Sequence, residues 1–226
     1  MNRSRTTFVL VLAGGLTLVA LTVGVYRATR KSDRLPAPDS QVYEEMTRSF
    51  YRGLASLQVG LLDDAREAFT RATELVAAEP AAWANLGLVY LRLGEFDAAR
   101  PPIERAEALA PESSEVEFLL GRMETTRGRI DEGIAHLRRA VASDARSLRA
   151  RFALAQEIER SGGQDAVAQA HAELEGLLGL EPDNLVILLE RTRLAAKRGD
   201  GASLRDSVAR LEKRRPTWPA RVIEQH

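Results

Sequence analysis

Apolar residues recur three or four positions apart along most of the chain, which is the spacing of one face of an α-helix. One such stretch contains Trp83 and Leu86, and a second contains Ile103 and Ala106. The pattern is interrupted between them at Gly94, and glycine suits the C-terminal end of a helix. The pattern therefore predicts two helices joined by a short turn, and an all-α fold for the chain.

The same pattern repeats at a constant interval. The repeated positions are Gly60, Gly94, Gly128 and Gly162, with Phe69, Ile103 and Leu137, and with Leu86, Leu120 and Leu154. A fixed period of about 34 residues indicates a stack of equivalent helix–turn–helix units. Neither helix of a unit can bury its apolar face alone, so each unit needs its neighbours.

We count five units, near residues 46–79, 80–113, 114–147, 148–184 and 185–216. The fourth gains three residues near Ser161–Asp165, and the fifth has Arg191 where leucine is usual. Asp63, Asp97 and Asp131 repeat at the same interval. We expect each to cap or begin the second helix of its unit, where a carboxylate can accept from free backbone N–H groups.

Two adjacent prolines, Pro101 and Pro102, fall near the start of the second helix of the second unit. Each lacks a backbone N–H group, so we expect this helix to begin late or to have a distorted first turn.

The units resemble the tetratricopeptide repeat. The residues that carry the resemblance are Trp83, Leu86, Gly87, Tyr90, Gly94, Ala99, Ile103, Ala106 and Pro111. The resemblance covers about residues 46–216 and implies a right-handed superhelical solenoid. It also implies a long concave surface that holds protein or peptide partners, but it does not identify the partner.

An apolar segment, Phe8 to Tyr26, contains no charged group. As a helix it would span about 28 Å, close to the thickness of a bilayer core. We therefore expect a single transmembrane helix over residues 8–26, between an N-terminal tail (1–7) and a spacer (27–45). A cleaved signal peptide is the alternative interpretation. Residues 217–226 would form a tail or begin a short capping helix at Trp218.

The orientation of this helix is ambiguous. Four basic residues follow the apolar segment and two precede it, which places the array in the cytoplasm by the positive-inside rule. Membrane-anchored bacterial repeat proteins that are similar in layout often face outward. That resemblance favours the periplasmic side of the cytoplasmic membrane.

Charge and composition exclude several functions. Residues 1–34 carry six basic groups and one acid, a net charge of +5, so a chain of zero net charge has −5 in the remainder. A mildly acidic array is a poor nucleic-acid binder. The chain has no cysteine, and its three histidines match no zinc motif. We expect no enzyme activity, no cofactor or metal, and no small-molecule substrate.

The first helices of the units are expected to line the concave face. Phenylalanines occupy equivalent positions there in three units, with arginines around them. The predicted protein-binding residues are Phe50, Leu54, Asn85, Leu88, Arg92, Phe118, Arg122, Phe152, Gln156, Leu189 and Arg193. Such a surface suits a partner with hydrophobic and acidic side chains. In the alternative, the phenylalanines pack against neighbouring units and the arginines are solvated.

These patterns support two hypotheses about function. The first is a membrane-anchored scaffold that binds partner proteins on its concave face, during assembly or quality control of membrane or envelope complexes. The second is a permanent structural accessory subunit of a larger membrane complex.

Overall fold

The computed structural model describes residues 35–163 and 165–214, and these contain ten α-helices and no β-strand. The helices are α1 (Gln41–Gln58), α2 (Leu62–Leu75), α3 (Pro80–Leu93), α4 (Phe96–Leu109), α5 (Ser114–Thr126), α6 (Ile130–Ser143), α7 (Leu148–Ser161), α8 (Ala166–Leu180), α9 (Leu185–Arg198) and α10 (Gly201–Arg214). The predicted all-α fold is confirmed for this part of the chain.

The described residues divide into two compact units, 35–93 and 94–214. The first unit contains α1, α2 and α3, and the second contains α4 to α10. Within each unit, helices that follow one another along the chain pack together: α1 on α2 and α2 on α3, then α4 on α5 and so on to α10. The apolar core lies between these neighbouring helices.

The repeated glycines end the first helix of each pair. Gly60, Gly94, Gly128, Gly162 and Gly199 have φ angles between 69° and 83°. These are the positive-φ residues of the described chain, and an L-residue with a β-carbon is strained in that region. The helix ends predicted at Gly60, Gly94, Gly128 and Gly162 are confirmed, and Gly199 ends α9 in the same way. The reason for the period is a backbone turn that favours glycine.

Close helix packing explains a second set of glycines. A β-carbon on Gly53 would lie 2.8 Å from the ring of Phe69, and one on Gly121 would lie 2.7 Å from Leu137 Cγ. Phe69 and Leu137 are fully buried. The glycine on the first helix therefore makes room for the large apolar residue on the second.

The helix caps differ from the predicted ones. Polar residues just before the first helices accept backbone N–H groups of the first turn: Ser40, Ser113, Ser147 and Asn184. Asp63, Asp97 and Asp131 lie in the first turn of α2, α4 and α6, where they favour the helix dipole. They follow the N-cap residue, so the prediction that they cap or begin the second helix is confirmed for the helix start and is wrong for the cap position.

The two prolines do not delay α4. The helix begins at Phe96, and Pro101 and Pro102 lie within it, so the predicted late start is wrong. The first turn is held from two sides. The Ala99 N–H donates to the Glu95 carbonyl at 3.0 Å, and Arg127 Nη2 donates to the Phe96 carbonyl at 2.9 Å. The prolines come after this turn, where each removes one internal hydrogen bond.

Two boundaries of the predicted units shift. Helix α1 begins at Gln41, five residues before Met46, so residues 41–45 of the predicted spacer are helical. Tyr43 and Met46 pack there against Val76 and neighbouring alanines. The extra residues of the fourth unit delay the start of α8 to Ala166, and α8 is 15 residues long, one more than α7.

The predicted membrane anchor (8–26), the N-terminal tail and the capping segment at Trp218 lie outside the described residues. So does residue 164. Among residues 35–163 and 165–214, no helix has the length and apolar character needed to cross a membrane.

Candidate protein-binding surface

We call the predicted binding residues on the first helices of each unit its first-helix surface. They lie on α1 and α3 in the unit 35–93, and on α5, α7 and α9 in the unit 94–214. In the unit 35–93, Phe50, Leu54 and Leu88 are half-buried and pack against an apolar cluster that includes Phe69 and Val89. The rings of Phe50 and Phe69 meet edge to face, with centroids 5.7 Å apart. Each of the three predicted apolar residues therefore supports the core and keeps part of its surface exposed.

The two predicted polar residues of this unit make local contacts. Asn85 Nδ2 donates to the Ala81 carbonyl at 2.8 Å, within the same helix. Arg92 Nη1 donates to the Leu57 carbonyl at 3.2 Å, near the C-terminal end of α1. The last carbonyls of a helix lack internal partners, so this bond caps α1 with a cation, which the helix dipole also favours.

Phe118 is almost entirely covered, with 9% of its surface exposed. The guanidinium carbon of Arg149 lies 5.0 Å from the centroid of its ring, and Arg149 Nη2 also pairs with a carboxylate oxygen of Glu115. Partial burial raises the pKa of Glu115, although Arg149 opposes this effect. The ring, the guanidinium and the carboxylate form one stacked set on α5 and α7.

Arg122 joins α5 to α7. Its Nη1 lies 3.3 Å from Oε1 of Glu157, a buried carboxylate that also pairs with Arg160 at 2.5 Å. A buried carboxylate needs such partners because burial alone disfavours its charge. Arg122 thus has a structural contact in addition to any contact with a partner.

Arg193 pairs with two glutamates. Its guanidinium binds both oxygens of Glu159 and also contacts Glu190, and Lys197 Nζ lies 2.9 Å from Glu159 Oε1. Hydrogen bonds from Arg193, supported by Lys197, lower the pKa of Glu159 from 4.5 to about 2. The same bonds raise the pKa of Arg193.

The remaining predicted residues differ in exposure. Phe152 and Leu189 are half-buried, and Gln156 is exposed. Gln156 is therefore a position from which a partner can be probed without disturbing the core.

Pairing changes the chemistry expected of this surface. Arg122 and Arg193 are neither bare cations nor simply solvated, because glutamates of the same unit already hold them. An acidic partner would have to compete with those glutamates. Glu157, which pairs with Arg122, and Glu159, which pairs with Arg193, were not among the residues predicted from the sequence. The sequence signal for these ion pairs was that arginine and glutamate recur about one repeat apart.

A second charged cluster is centred on Arg191, in the helix α9. Arg191, 6% exposed, donates to Glu175 at 2.7 Å, to Asp206 at 2.7 Å and to Ser207 Oγ at 2.6 Å. Burial opposes its charge, but the bonds to the two carboxylates outweigh that effect and raise the pKa of Arg191. It therefore ties α8, α9 and α10 together at the position where leucine is usual.

The two histidines of the described residues each lie close to a glutamate. His136 Nδ1 lies 2.8 Å from Glu117 Oε2, and Arg139 Nε donates to the other oxygen of that glutamate at 3.0 Å. Burial lowers the pKa of His171, with Glu175 opposing. In the described chain, no three His, Cys, Asp or Glu side chains are arranged to hold a metal ion.

Comparison with known proteins agrees with this geometry. A sequence model described as tetratricopeptide repeat matches residues 52–114. A solved structure of PilF from Pseudomonas aeruginosa superimposes with a TM-score of 0.68 at 20% identity, and the match covers 77% of this chain and 78% of that one. The described chain has the tetratricopeptide repeat fold.

Two further structures share this tetratricopeptide repeat fold. The MamA protein matches with a TM-score of 0.61 at 19% identity, over 78% of this chain and 97% of that one. YrrB, whose structure is described as having an unusual peptide-binding site, matches with a TM-score of 0.54 at 17% identity, over 74% of this chain and 85% of that one. No curated protein matches the chain in sequence.

Proposed function

We propose that this protein is a non-catalytic scaffold that captures a partner protein on its first-helix surface. The observation that carries the proposal is the tetratricopeptide repeat fold, a fold whose repeats typically form extended binding surfaces. The similarity to YrrB supports it, because that structure is described as having a peptide-binding site.

Contact with the partner would come chiefly from apolar side chains. Phe50, Leu54 and Leu88 keep part of their surface exposed in the unit 35–93, and Phe152 and Leu189 do so in the unit 94–214. Apolar contact residues framed by paired charges are typical of protein–protein interfaces, in which a polar rim surrounds the contact. The glutamate-bound arginines would form that rim.

We further propose that residues 8–26 anchor the scaffold in the bacterial cytoplasmic membrane, with the array on the periplasmic side. The length of this segment and its lack of charged residues support the anchor. An anchor would restrict the search for a partner to the membrane surface, which suits a role in assembly or quality control of membrane or envelope complexes.

Site-specific photocrosslinking tests the capture surface. The photoreactive amino acid p-benzoylphenylalanine would replace Gln156, which is exposed on α7, or Ala135, which is exposed on α6, as the matched control. We expect a discrete crosslinked partner from position 156 in cells and none from position 135. Crosslinks from position 135 alone would reject the first-helix surface.

Cysteine labelling tests the orientation. The chain has no cysteine, and a β-carbon on Gly163 meets no atom within 4 Å, so Gly163→Cys gives one accessible thiol. With any outer membrane permeabilised, a membrane-impermeant maleimide should label it before the cytoplasmic membrane is broken. Labelling only afterwards would place the array in the cytoplasm.

The accessory-subunit function remains the second candidate, and the paired arginines favour it. A surface whose guanidiniums are already satisfied can serve as structure rather than as a docking site. A permanent subunit should co-purify with its complex at constant stoichiometry through detergent and high salt. A docking scaffold should lose its partner under those conditions.

A further inference from the structure

The protein contains its own example of a guanidinium bound on a first-helix phenylalanine. Arg149 lies over the ring of Phe118 and pairs with Glu115, as described above. A cation over an aromatic face is attracted by the ring, and a nearby carboxylate adds a charge-assisted bond. This set shows that a phenylalanine at the repeated position of Phe118 can bind a guanidinium group.

The unit 35–93 has the same phenylalanine without the arginine. Phe50 and Ala81 stand at the positions equivalent to Phe118 and Arg149, two repeats earlier in the chain. The small side chain of Ala81 leaves a notch beside Phe50, with a volume of about 180 Å³. Its walls are Tyr43, Met46, Thr47, Phe50, Tyr51, Glu79 and Ala81.

The walls of the notch are aromatic and acidic. Tyr51 is 64% exposed and meets Phe50 edge to face, with centroids 5.9 Å apart and an angle of 81° between the rings. Glu79 is the one charged residue among the lining residues, and its Oε1 accepts the Ala81 N–H at 3.1 Å. Aromatic faces beside a carboxylate favour a cation, and the planar guanidinium of arginine stacks on such rings better than an ammonium does.

We propose that this notch binds an arginine side chain of the captured partner, with the guanidinium over Phe50 and paired with Glu79. The inference rests on the proposed capture function and assigns one anchor residue of the partner. The notch is smaller than the roughly 300–1,000 Å³ of small-molecule sites, so it takes a single side chain. The alternative occupant of the notch, in place of a partner's arginine, is an arginine of this chain that precedes Leu35.

The test uses the full chain with 3-fluorotyrosine in place of tyrosine. The chain has four tyrosines, and two of them are Tyr43 and Tyr51. Two acetylated and amidated peptides serve as probes, Ala-Leu-Arg-Leu-Ala and the same peptide with citrulline, a neutral isostere of arginine. We expect the arginine peptide to shift the ¹⁹F signals of Tyr43 and Tyr51 saturably, with a Kd at least fivefold lower than that of the citrulline peptide. Equal affinity of the two peptides would overturn the proposal.

Variants locate the binding in the notch. Ala81→Arg places an arginine of the chain itself at the notch, where it should compete with the arginine peptide. The Kd of that peptide should rise at least tenfold. Ala81 is exposed, so the variant should fold, and Ala172→Arg, also at an exposed alanine, controls for the added charge. Glu79→Gln should raise the Kd about threefold to tenfold. Unchanged affinity in both notch variants would contradict the assignment.

Two outcomes distinguish failure of the notch assignment from failure of the proposed capture function. If Ala81→Arg leaves photocrosslinking from position 156 intact and also leaves peptide binding unchanged, the notch is rejected and the capture function stands. If position 156 yields no partner in the unmodified background, the capture function itself fails. Tighter peptide binding after Arg27, Arg30, Lys31 and Arg34 are changed to glutamine would identify the chain's own segment as the occupant and reject a partner arginine.

Discussion

The guanidinium of Arg92 donates a hydrogen bond to the carbonyl oxygen of Leu57, and Arg160 donates one to the carbonyl oxygen of Thr125 over the same separation in sequence. Arg92 and Arg160 stand at equivalent positions two repeats apart, so the same contact between repeats occurs twice. In each case a cation on one first helix caps the end of the preceding first helix. Arg92, one of the predicted binding residues, is thus also a contact between repeats.

Replacing Arg92 or Arg160 with alanine should weaken these joints. We expect the free energy of unfolding in urea to fall by about 0.5–1 kcal/mol for Arg92→Ala, the usual net value of such a bond. The loss should be larger for Arg160→Ala, which also removes the pair with buried Glu157. Amide exchange should accelerate at the end of α1 in the first variant and of α5 in the second. Arg138→Ala, at an exposed residue of α6, is the control, and an equal loss there would contradict the capping role.

The depressed pKa of Glu159 predicts a dependence of stability on pH. Because the folded pKa of about 2 lies below the usual 4.5, the contribution of Glu159 is fully present above pH 4.5 and is lost as the pH falls towards 2. After allowance for the solvent exposure of Arg193, we expect Glu159→Gln to cost about 2 kcal/mol at pH 6. The difference from the unmodified protein should shrink by about 1 kcal/mol at pH 3. Urea unfolding at the two pH values measures this, with Glu112→Gln as an exposed control, and a constant difference would refute it.

Gly133 stands where Ala65 and Ala99 stand in earlier repeats, and the structure gives the reason. A β-carbon there would overlap Thr125 Cγ2 and lie 3.0 Å from the Gly121 carbonyl oxygen. We expect Gly133→Ala to lower stability by about 1 kcal/mol, since overpacking outweighs the gain in helix propensity. The cost should fall by about 1 kcal/mol when Thr125→Ser removes the methyl group. A double-mutant cycle by thermal or urea unfolding measures the coupling, and additive effects would contradict the steric account.

Arg191 should anchor the terminal helix α10. Arg191→Ala removes its bonds to Glu175, Asp206 and Ser207, and we expect a loss of about 2–3 kcal/mol because a buried polar network is broken. Arg191→Leu, which restores the usual residue, should cost less, since Glu175 and Asp206 are each 43% exposed and can be hydrated. Hydrogen exchange should show α10 opening in the alanine variant while α5 remains protected. Equal protection of α10 in all three proteins would show that Arg191 does not hold it.

The helices and their turns were predictable because their causes are local. Gly128 ends α5 at a positive φ angle, and a large apolar residue recurs at the position of Leu137 because it fills the space that Gly121 leaves. The prediction failed where two local rules competed. Asp97 looks like a helix cap, but the helix already starts one residue earlier. Pro101 suggested that α4 would start late. Arg127, which directly follows α5, instead holds the first turn of α4 in place by a hydrogen bond.

The candidate surface was only partly predictable. The sequence by itself determined the helix pairs and the turn glycines, because period and backbone preference are properties of neighbouring positions. Only the tertiary structure decided that Phe118 is covered by Arg149, that Arg193 is held by Glu159, and that Arg191 is buried among carboxylates. Those pairs join residues on different helices, and which charges meet depends on how the helices pack.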